Sequence, residues 1–276
     1  MSRQIRVAVF RPDDDRIEDA VELLESLGAD PVPDPMLAVK PTGETPADAP
    51  YVVLTSKTGV ELAADRGWAP AEETTLVAIG PATAAAAREA GWTVDLIPEE
   101  YTSAGLVDLL ADRIAEGPEG DEGDEGIEGA EGGKGAEGTA NGGVAIEVAR
   151  SDHGSAVLTE GLAAAGADVH ETVLYRLVRP EDAGRSSELA AAGELEAAAF
   201  TSSLTVEHFL EAAAERGVED AARAGLADAV VGTIGDPTRE TAEAHGIDVD
   251  VVPAEATFES LATAVVEHAA PSHRGE

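Results

Sequence analysis

The sequence predicts an α/β fold, with parallel sheets covered by helices on both faces and the chain built as two related modules. Three observations predict it. Short apolar runs alternate with longer stretches of helical period, the rhythm of strand–helix units. Several of these runs end in arginine, Thr-Ser or Ile-Gly, polar punctuation suited to a strand-to-helix turn. The whole series also occurs twice, which makes two modules of it.

Taken in order, Ile5–Pro12 (IRVAVFRP) is a buried strand ending in Arg11. IEDAVELLESLGA follows with helical period and is closed by Gly28, and a second strand lies near Val32–Val39. The same pattern returns at Val144–Arg150 (VAIEVAR), a strand ending in Arg150. It is followed by the helix SAVLTEGLAAAGA, closed by Gly166, and by a strand through VLYRLVRP. The remaining parts repeat as well. Tyr51–Leu62 (YVVLTSKTGVEL) resembles Ala198–Phe209 (AAFTSSLTVEHF), each an apolar strand, then Thr-Ser, then a helix. VAIGPATAAAAREAG matches GTIGDPTRETAEAHG, and DLIPEEYTSAGLVDLL matches DVVPAEATFESLATAV. Ile79 and Ile234, Thr83 and Thr238, Gly91 and Gly246, and Pro98 and Pro253 are each 155 positions apart.

Composition bounds what such a fold can do. A chain of 276 residues that is 43% apolar suits one large or two modest domains with real cores. Cysteine is absent, which excludes disulfides, thiolate metal sites and a cysteine nucleophile. No apolar run approaches the ~18 residues of a membrane span, and the opening MSRQIRVAVFRPDDD has no signal-peptide core, so a soluble cytoplasmic protein is expected. Lys and Arg number 18 against 55 Asp and Glu, a net −37, and the lysines are only Lys40, Lys57 and Lys134. Such a surface repels nucleic acid and anionic lipid. It suits molar salt, where screening contracts to ~3 Å and self-repulsion becomes tolerable.

Residues 117–143 are set apart. They hold 11 glycines and 8 acids around one lysine, too little apolar surface for a core, and read as a disordered acidic insert. The pair Gly133-Lys134 is not a phosphate loop, because Gly135 stands where a hydroxyl residue is needed. Without the insert the chain keeps 47 acids and 17 bases, a net −30, so the acidity belongs to the folded part.

In parallel α/β sheets, ligands bind at the carboxyl ends of the strands, where helix N-termini present free N–H groups. The residues at those points are Arg11, Thr55, Ser56, Gly80, Thr83, Thr102, Ser103, Arg150, Thr201, Ser202, Ser203, Gly235, Thr238 and Thr257. Singly, the hydroxyl residues are ordinary N-caps and the glycines ordinary turn residues. Together, at equivalent points of both modules, they predict a binding site. Asp236 departs from the repeat, standing where the first module has Pro81, and is expected to cap its helix. The six histidines (153, 170, 208, 245, 268, 273) read as surface residues. There is no HExxH or other metal-ligand cluster, no G-x-S-x-G elbow, and no G-x-G-x-x-G after a strand. An enzyme built this way works without metal or organic cofactor, through positioning, hydrogen-bond donors and an acid or base.

LTSKTGVE and FTSSLTVE after apolar strands, AIGPATAAAAREAG and TIGDPTRETAEAHG as helix openings, and VLYRLV between the halves together resemble uroporphyrinogen-III synthase. Their order and spacing carry the likeness, which spans the chain outside 117–143 and points to a salt-adapted, archaeal type. The resemblance implies two flavodoxin-like domains joined by a two-stranded linker. Sequence alone places each repeat in its own domain. The family instead implies a crossing, with 1–36 and 178–276 as one domain and 37–177 as the other. The implied reaction is dehydration and cyclisation of hydroxymethylbilane, a linear tetrapyrrole with eight carboxylates, with inversion of ring D, in an inter-domain cleft and without a cofactor. Tyr175 matches the family's tyrosine near the cleft and is the candidate acid. Thr83, Thr238, Ser56, Ser103, Ser202 and Ser203 are expected to bind carboxylates, and Arg11 and Arg150 to add charge. A monomer is expected, supplied by hydroxymethylbilane synthase upstream. The competing reading is a non-enzymatic two-domain small-molecule binding protein, which fold alone does not exclude.

Overall fold

The computed structural model describes residues 5–116 and 143–270. The expected acidic insert lies outside the described residues, apart from Gly143, and so does His273. In chain order the elements begin with β1 (Arg6–Phe10), α1 (Asp15–Ser26), β2 (Asp30–Pro33), β3 (Ala38–Pro41), β4 (Tyr51–Leu54) and α2 (Lys57–Asp65). Next come β5 (Thr75–Ala78), α3 (Pro81–Glu89), α4 (Ser103–Glu116), β6 (Ala145–Ser151), α5 (Ala156–Ala164) and β7 (Asp168–Val178). The last are α6 (Arg185–Ala191), β8 (Ala197–Phe200), α7 (Ser203–Glu215), α8 (Glu219–Ala227), β9 (Val230–Thr233), α9 (Asp236–Ala244) and α10 (Phe258–Ala269). The closing glycines 28, 91, 166 and 246 have φ between +75° and +103°, the left-handed conformation that ends a helix cheaply only for glycine.

The chain divides into two compact units, residues 1–39 with 177–276 (unit 1) and residues 40–176 (unit 2). Unit 1 has the sheet order β2-β1-β8-β9, every pairing parallel. Unit 2 has β7-β6-β4-β5, again parallel throughout, with β3 beyond β7. Both follow the flavodoxin-like order once the chain's permutation is allowed for. Arg6 faces Asp30 as Ala145 faces Asp168, so β1–α1–β2 and β6–α5–β7 are equivalent pieces. A parallel bridge extends each sheet by one position, Val77 to Leu96 and Gly232 to Val251. Beside each bridge an aspartate accepts from the edge strand's backbone: Asp95 from the Leu76 N–H and Asp250 from the Val231 N–H, both at 2.8 Å.

Alternation along the strands sorts the core of unit 1 into two layers. Ala8, Phe10, Ala198 and Phe200 face α7, α8 and α9, while Val7, Val9, Ala197 and Ala199 face α1 and α10. Phe10, Phe200 and Phe209 form an aromatic cluster with ring centroids 4.5–5.7 Å apart. In unit 2, Val53, Val77, Ile146 and Val148 pack under Leu106, Leu110 and Ile114 of α4 and Leu158 and Leu162 of α5.

Two features differ from the sequence reading. The strand expected near Val32–Val39 is split into β2 and β3 with a lone bridge at Leu37. Pro31, Pro33 and Pro35 lack the N–H a ladder needs, whereas the equivalent β7 has no proline and runs unbroken for 11 residues. Unit 1 also carries α6 and α8, which the repeat does not foretell. They approach closely at Gly225, where an added Cβ would lie 1.7 Å from the Ala190 carbonyl oxygen. Asp34 holds the start of α6. Its buried carboxylate accepts from the Gly184 and Ser186 N–H groups, each at 2.7 Å, and from the Ser186 hydroxyl.

Asp34→Ala leaves two buried backbone donors unpaired and is expected to cost about 2–4 kcal/mol. Denaturant unfolding followed by circular dichroism checks this; an unchanged midpoint would show that α6 does not depend on that carboxylate.

Candidate functional site

In each sheet two neighbouring central strands send their following helices to opposite sides. In unit 1 the divergence lies between β1 and β8, and in unit 2 between β6 and β4. The carboxyl ends flanking that point form the crevice where open α/β sheets bind ligands.

In unit 2 the crevice is framed by Arg150, which follows the Leu54–Ala149 pair, and by Thr55-Ser56 at the end of β4. Ser56 caps α2, its Oγ accepting from the Gly59 N–H at 2.9 Å. The Tyr175 hydroxyl lies 3.0 Å from the same Oγ and is largely buried, at 7% exposure. Pairing between β6 and β7 slips between Arg150 and Ser151, so that Val173 faces Arg150 but Tyr175 faces Ser151. Such an irregularity re-aims a side chain, and here it accompanies the tyrosine's approach to Ser56. The couple holds two hydroxyl protons. One is used between the pair, so whichever oxygen donates internally, one proton remains for a ligand. Gly80 opens α3 without a side-chain cap, followed by Pro81 and the buried Thr83 at the third helical position. A Cβ on Gly80 would meet the Tyr101 ring at 3.3 Å, so the bare backbone there is what lets Tyr101 lie close. α4 starts at Ser103, with Thr102 Oγ1 accepting from the Gly105 N–H.

In unit 1 the equivalent positions behave in part differently. Thr201 donates to the Phe10 carbonyl at 2.6 Å and so ties β8 to β1. Ser202 caps α7 in a reciprocal capping box with Thr205. Ser203 donates to the Pro237 carbonyl and lies 2.8 Å from the Thr241 hydroxyl, linking α7 to α9. Gly235 opens α9 without a side-chain cap, and Thr238 is buried at the third helical position, as Thr83 is in α3. Thr257 caps α10. Thus α3 and α9, the 155-spaced pair, both start on a glycine that leaves the first-turn N–H groups without a side-chain acceptor.

The two arginines are not alike. Arg150 is buried at 6% exposure, with one Nη 2.8 Å from Glu171 and the other 2.5 Å from the Ser155 carbonyl. Gly154 makes room for it, since a Cβ there would lie 2.3 Å from the Arg150 side chain. Its charge is therefore met inside unit 2, where it fastens the turn after β6. Arg11 is half-buried and has no carboxylate within 4 Å among the described residues. Burial, and secondarily Arg16, hold its guanidinium below the ordinary arginine range. The nearby Asp14 is occupied: it caps α1 and pairs with Arg16, whose hydrogen bond keeps the Asp14 carboxyl below the usual carboxylate range.

Two sequence readings need correction. Asp236 is not the helix cap. Gly235 is, and Asp236 sits one position inside α9, exposed and 3.0 Å from Arg239. His208 is not a surface residue but is 7% exposed, its Nδ1 2.6 Å from the Met36 carbonyl, where it joins α7 to the segment after β2. Sequence reasoning also misses Tyr101 and Phe258. Each is an aromatic beside a helix start in a chain with 3% aromatics, which is the signal that could have found them. Among the described residues, no group of three or more carboxylate or imidazole side chains is placed to hold a metal ion, and no helix is long and apolar enough to cross a membrane.

Two parallel sheets of flavodoxin-like order, each with hydroxyl residues at its switch point, define a doubly wound α/β protein. The chain belongs to the uroporphyrinogen-III synthase family, whose model matches residues 18–263. It is 30% identical, over 94% of its length and 96% of the relative's, to a provisionally named uroporphyrinogen-III synthase of Methanothermobacter thermautotrophicus. Its fold is similar to that of a mutant uroporphyrinogen III synthase from the extremely thermophilic bacterium Thermus thermophilus, with a TM-score of 0.59, 20% identity and coverage of 93% of this chain and 95% of that one. It is also similar to the Helicobacter pylori enzyme, with a TM-score of 0.51, 12% identity and coverage of 93% and 96%. Membership places the chain among the lyase-type cyclases of tetrapyrrole biosynthesis.

The capping assignments give a contrast in stability. Ser202→Ala is expected to cost about 1 kcal/mol through loss of the α7 cap, whereas Asp236→Ala, which removes only an exposed ion pair, should change stability by less than about 0.5 kcal/mol. Chemical unfolding in one buffer checks both; the reverse order would overturn the caps as assigned.

Proposed function

We propose that this protein converts hydroxymethylbilane to uroporphyrinogen III with the Tyr175–Ser56 couple as its proton donor. The reaction removes water, inverts ring D and closes the macrocycle. Nothing is oxidised or reduced, so the chemistry asks only for a donor, for positioning and for partners to the substrate's carboxylates. Protonation of the departing hydroxyl on ring A leaves a cationic azafulvene. Ring D attacks it through its substituted carbon to give a spiro intermediate, which fragments and recloses as the III isomer. The observation that carries the assignment is the 3.0 Å contact of the largely buried Tyr175 hydroxyl with the half-buried Ser56 hydroxyl at the switch point of unit 2, with one proton uncommitted.

The carboxylates are met by short-range donors. Arg11 supplies the charge, and the uncapped first turns of α3 and α9 supply backbone N–H groups beside Gly80, Thr83, Gly235 and Thr238. Thr55, Ser103, Thr201, Ser202, Ser203 and Thr257 border the same edges with hydroxyls, and Arg150 supports the rim of unit 2 from beneath. The protein acts as a cytoplasmic monomer in molar salt, fed by hydroxymethylbilane synthase. The net charge of −37 and the scarcity of lysine support the salt-adapted reading. In such salt an acidic protein no longer repels an octa-anion at long range, and affinity rests on contacts that salt screens weakly.

The deciding assay generates hydroxymethylbilane in situ, adds the protein in molar potassium chloride, oxidises the products and separates the I and III uroporphyrins. A III-dominated product that disappears on heating the protein is expected; only the I isomer from folded protein would favour a non-enzymatic binding protein instead. In the same assay Tyr175→Phe should lower kcat by about 10²-fold, the lower range for general-acid catalysis, with KM nearly unchanged. Undiminished turnover would remove the phenol from the mechanism. A binding titration should show affinity holding as potassium chloride rises to molar levels, and a steep loss would contradict recognition by short-range donors.

A further inference from the structure

The chain has four phenylalanines, all in unit 1, and one stands apart. Phe10, Phe200 and Phe209 close on one another in the core. Phe258 is half-buried at the first position of α10, immediately after the Thr257 cap, and packs against the apolar layer of β1, α1 and α10. The Arg11 guanidinium carbon lies 4.8 Å from the Phe258 ring centroid. The Arg11 Nε is buried and has no hydrogen-bond partner, and no carboxylate among the described residues lies within 4 Å of the group. Among the described residues four arginines have a buried Nε without a hydrogen-bond partner, and Arg11 is the one of them that has no ion pair, since Arg150, Arg179 and Arg239 each meet a carboxylate.

The repeat supplies an internal comparison. Arg11 and Arg150 are equivalent, since Arg6 and Ala145 hold the same register. Val9 faces Pro33 as Val148 faces Glu171, so the position that gives Arg150 its carboxylate is a proline beside Arg11. The 155-residue spacing places Phe258 on Ser103. Where the arginine has a carboxylate partner, the aromatic is missing. Where it has the aromatic, the carboxylate is missing. A ring face steadies a guanidinium without consuming its in-plane donors, whereas a carboxylate occupies them.

We propose that Phe258 is a positioning residue for substrate: its ring holds the Arg11 guanidinium flat and unpaired, presenting the N–H edge to one carboxylate of the tetrapyrrole. This rests on the carboxylate-binding role given to Arg11 and on the tetrapyrrole reaction proposed above. Pre-orientation matters most in high salt. Long-range attraction is screened there, and the ordering of a long side chain is a cost removed before binding.

The test combines Phe258→Leu, Phe258→Tyr, Arg11→Met and the Leu/Met double variant, with Phe258→Met in place of the leucine variant should that one unfold. In the isomer assay, F258L is expected to raise KM about tenfold with kcat within about twofold. F258Y should restore the wild-type KM, and the double variant should be no worse than R11M alone. An unchanged KM in F258L, or penalties that add in the double variant, would overturn the proposal. Guanidinium ¹⁵N NMR on the same proteins without substrate provides the second readout. Rotation of the Arg11 guanidinium should be hindered in the wild type and F258Y and fast in F258L; equal rotation in all three would overturn the positioning role. A wild-type protein that makes no III isomer but shows the hindered rotation would fail the reaction proposed above and leave the ring's hold on Arg11 standing.

Discussion

Everything proposed for catalysis depends on a single topological constraint: in each sheet the helices that follow two adjacent parallel strands must leave in opposite directions. That divergence opens the space between β1 and β8, and between β6 and β4, at the strands' carboxyl ends. Backbone geometry alone therefore brings Arg11 beside Thr201-Ser202, and Arg150 beside Thr55-Ser56, from opposite parts of the chain. Side chains then divide the labour. Some hydroxyls cap the helices that leave the sheet, and others tie neighbouring elements together. At α3 and α9, where Gly80 and Gly235 are the caps, the first helical turn keeps its N–H groups free of a side-chain acceptor.

Charge is the second constraint, and it acts by placement. With 18 basic residues against 55 acidic ones, several cations among the described residues are taken by an acid: Arg16 by Asp14, Arg150 by Glu171, Arg223 by Glu219 and Arg239 by Asp236. Buried acids are given backbone or imidazole partners, as with Asp34 at the start of α6 and Glu147 beside His170. Exposed pairs of this kind contribute little to stability. What they do is remove cations from circulation, which makes an arginine held over an aromatic ring the more available.

The repeat makes most of the fold legible in the sequence, because each strand–turn–helix piece announces itself twice and a parallel sheet needs little beyond apolar runs and closing glycines. It is also where legibility ends. α6 and α8 belong to one unit only, and the start of α6 is fixed by Asp34, 150 positions before Gly184, a contact that no local pattern records. The proline-broken β2–β3 segment reads as one strand because its apolar content outweighs its missing N–H groups. At the candidate site, residue types are readable and their partners are not. Thr-Ser after a strand says that a hydroxyl will stand there. It does not say that Ser56 meets Tyr175, or that Ser203 is turned toward α9. Asp236 shows the same limit, since local propensity favours a cap where the backbone places Gly235.

The division of the chain into a continuous unit 2 and a discontinuous unit 1 also sets an order of assembly during synthesis. Residues 40–176 hold all that their sheet requires once the ribosome has passed β7. β1 cannot acquire its second neighbour until β8 emerges; the contact between Arg6 and Glu196 spans 190 positions. At ~5–20 residues per second the N-terminal β1–α1–β2 piece waits roughly ten to forty seconds with one edge of its strand unpaired. For that interval the nascent chain carries a finished middle and an unfinished beginning, and Asp13, Asp14, Asp15, Glu18 and Asp19 near the start of α1 give the waiting piece a net negative charge of the kind that favours solubility.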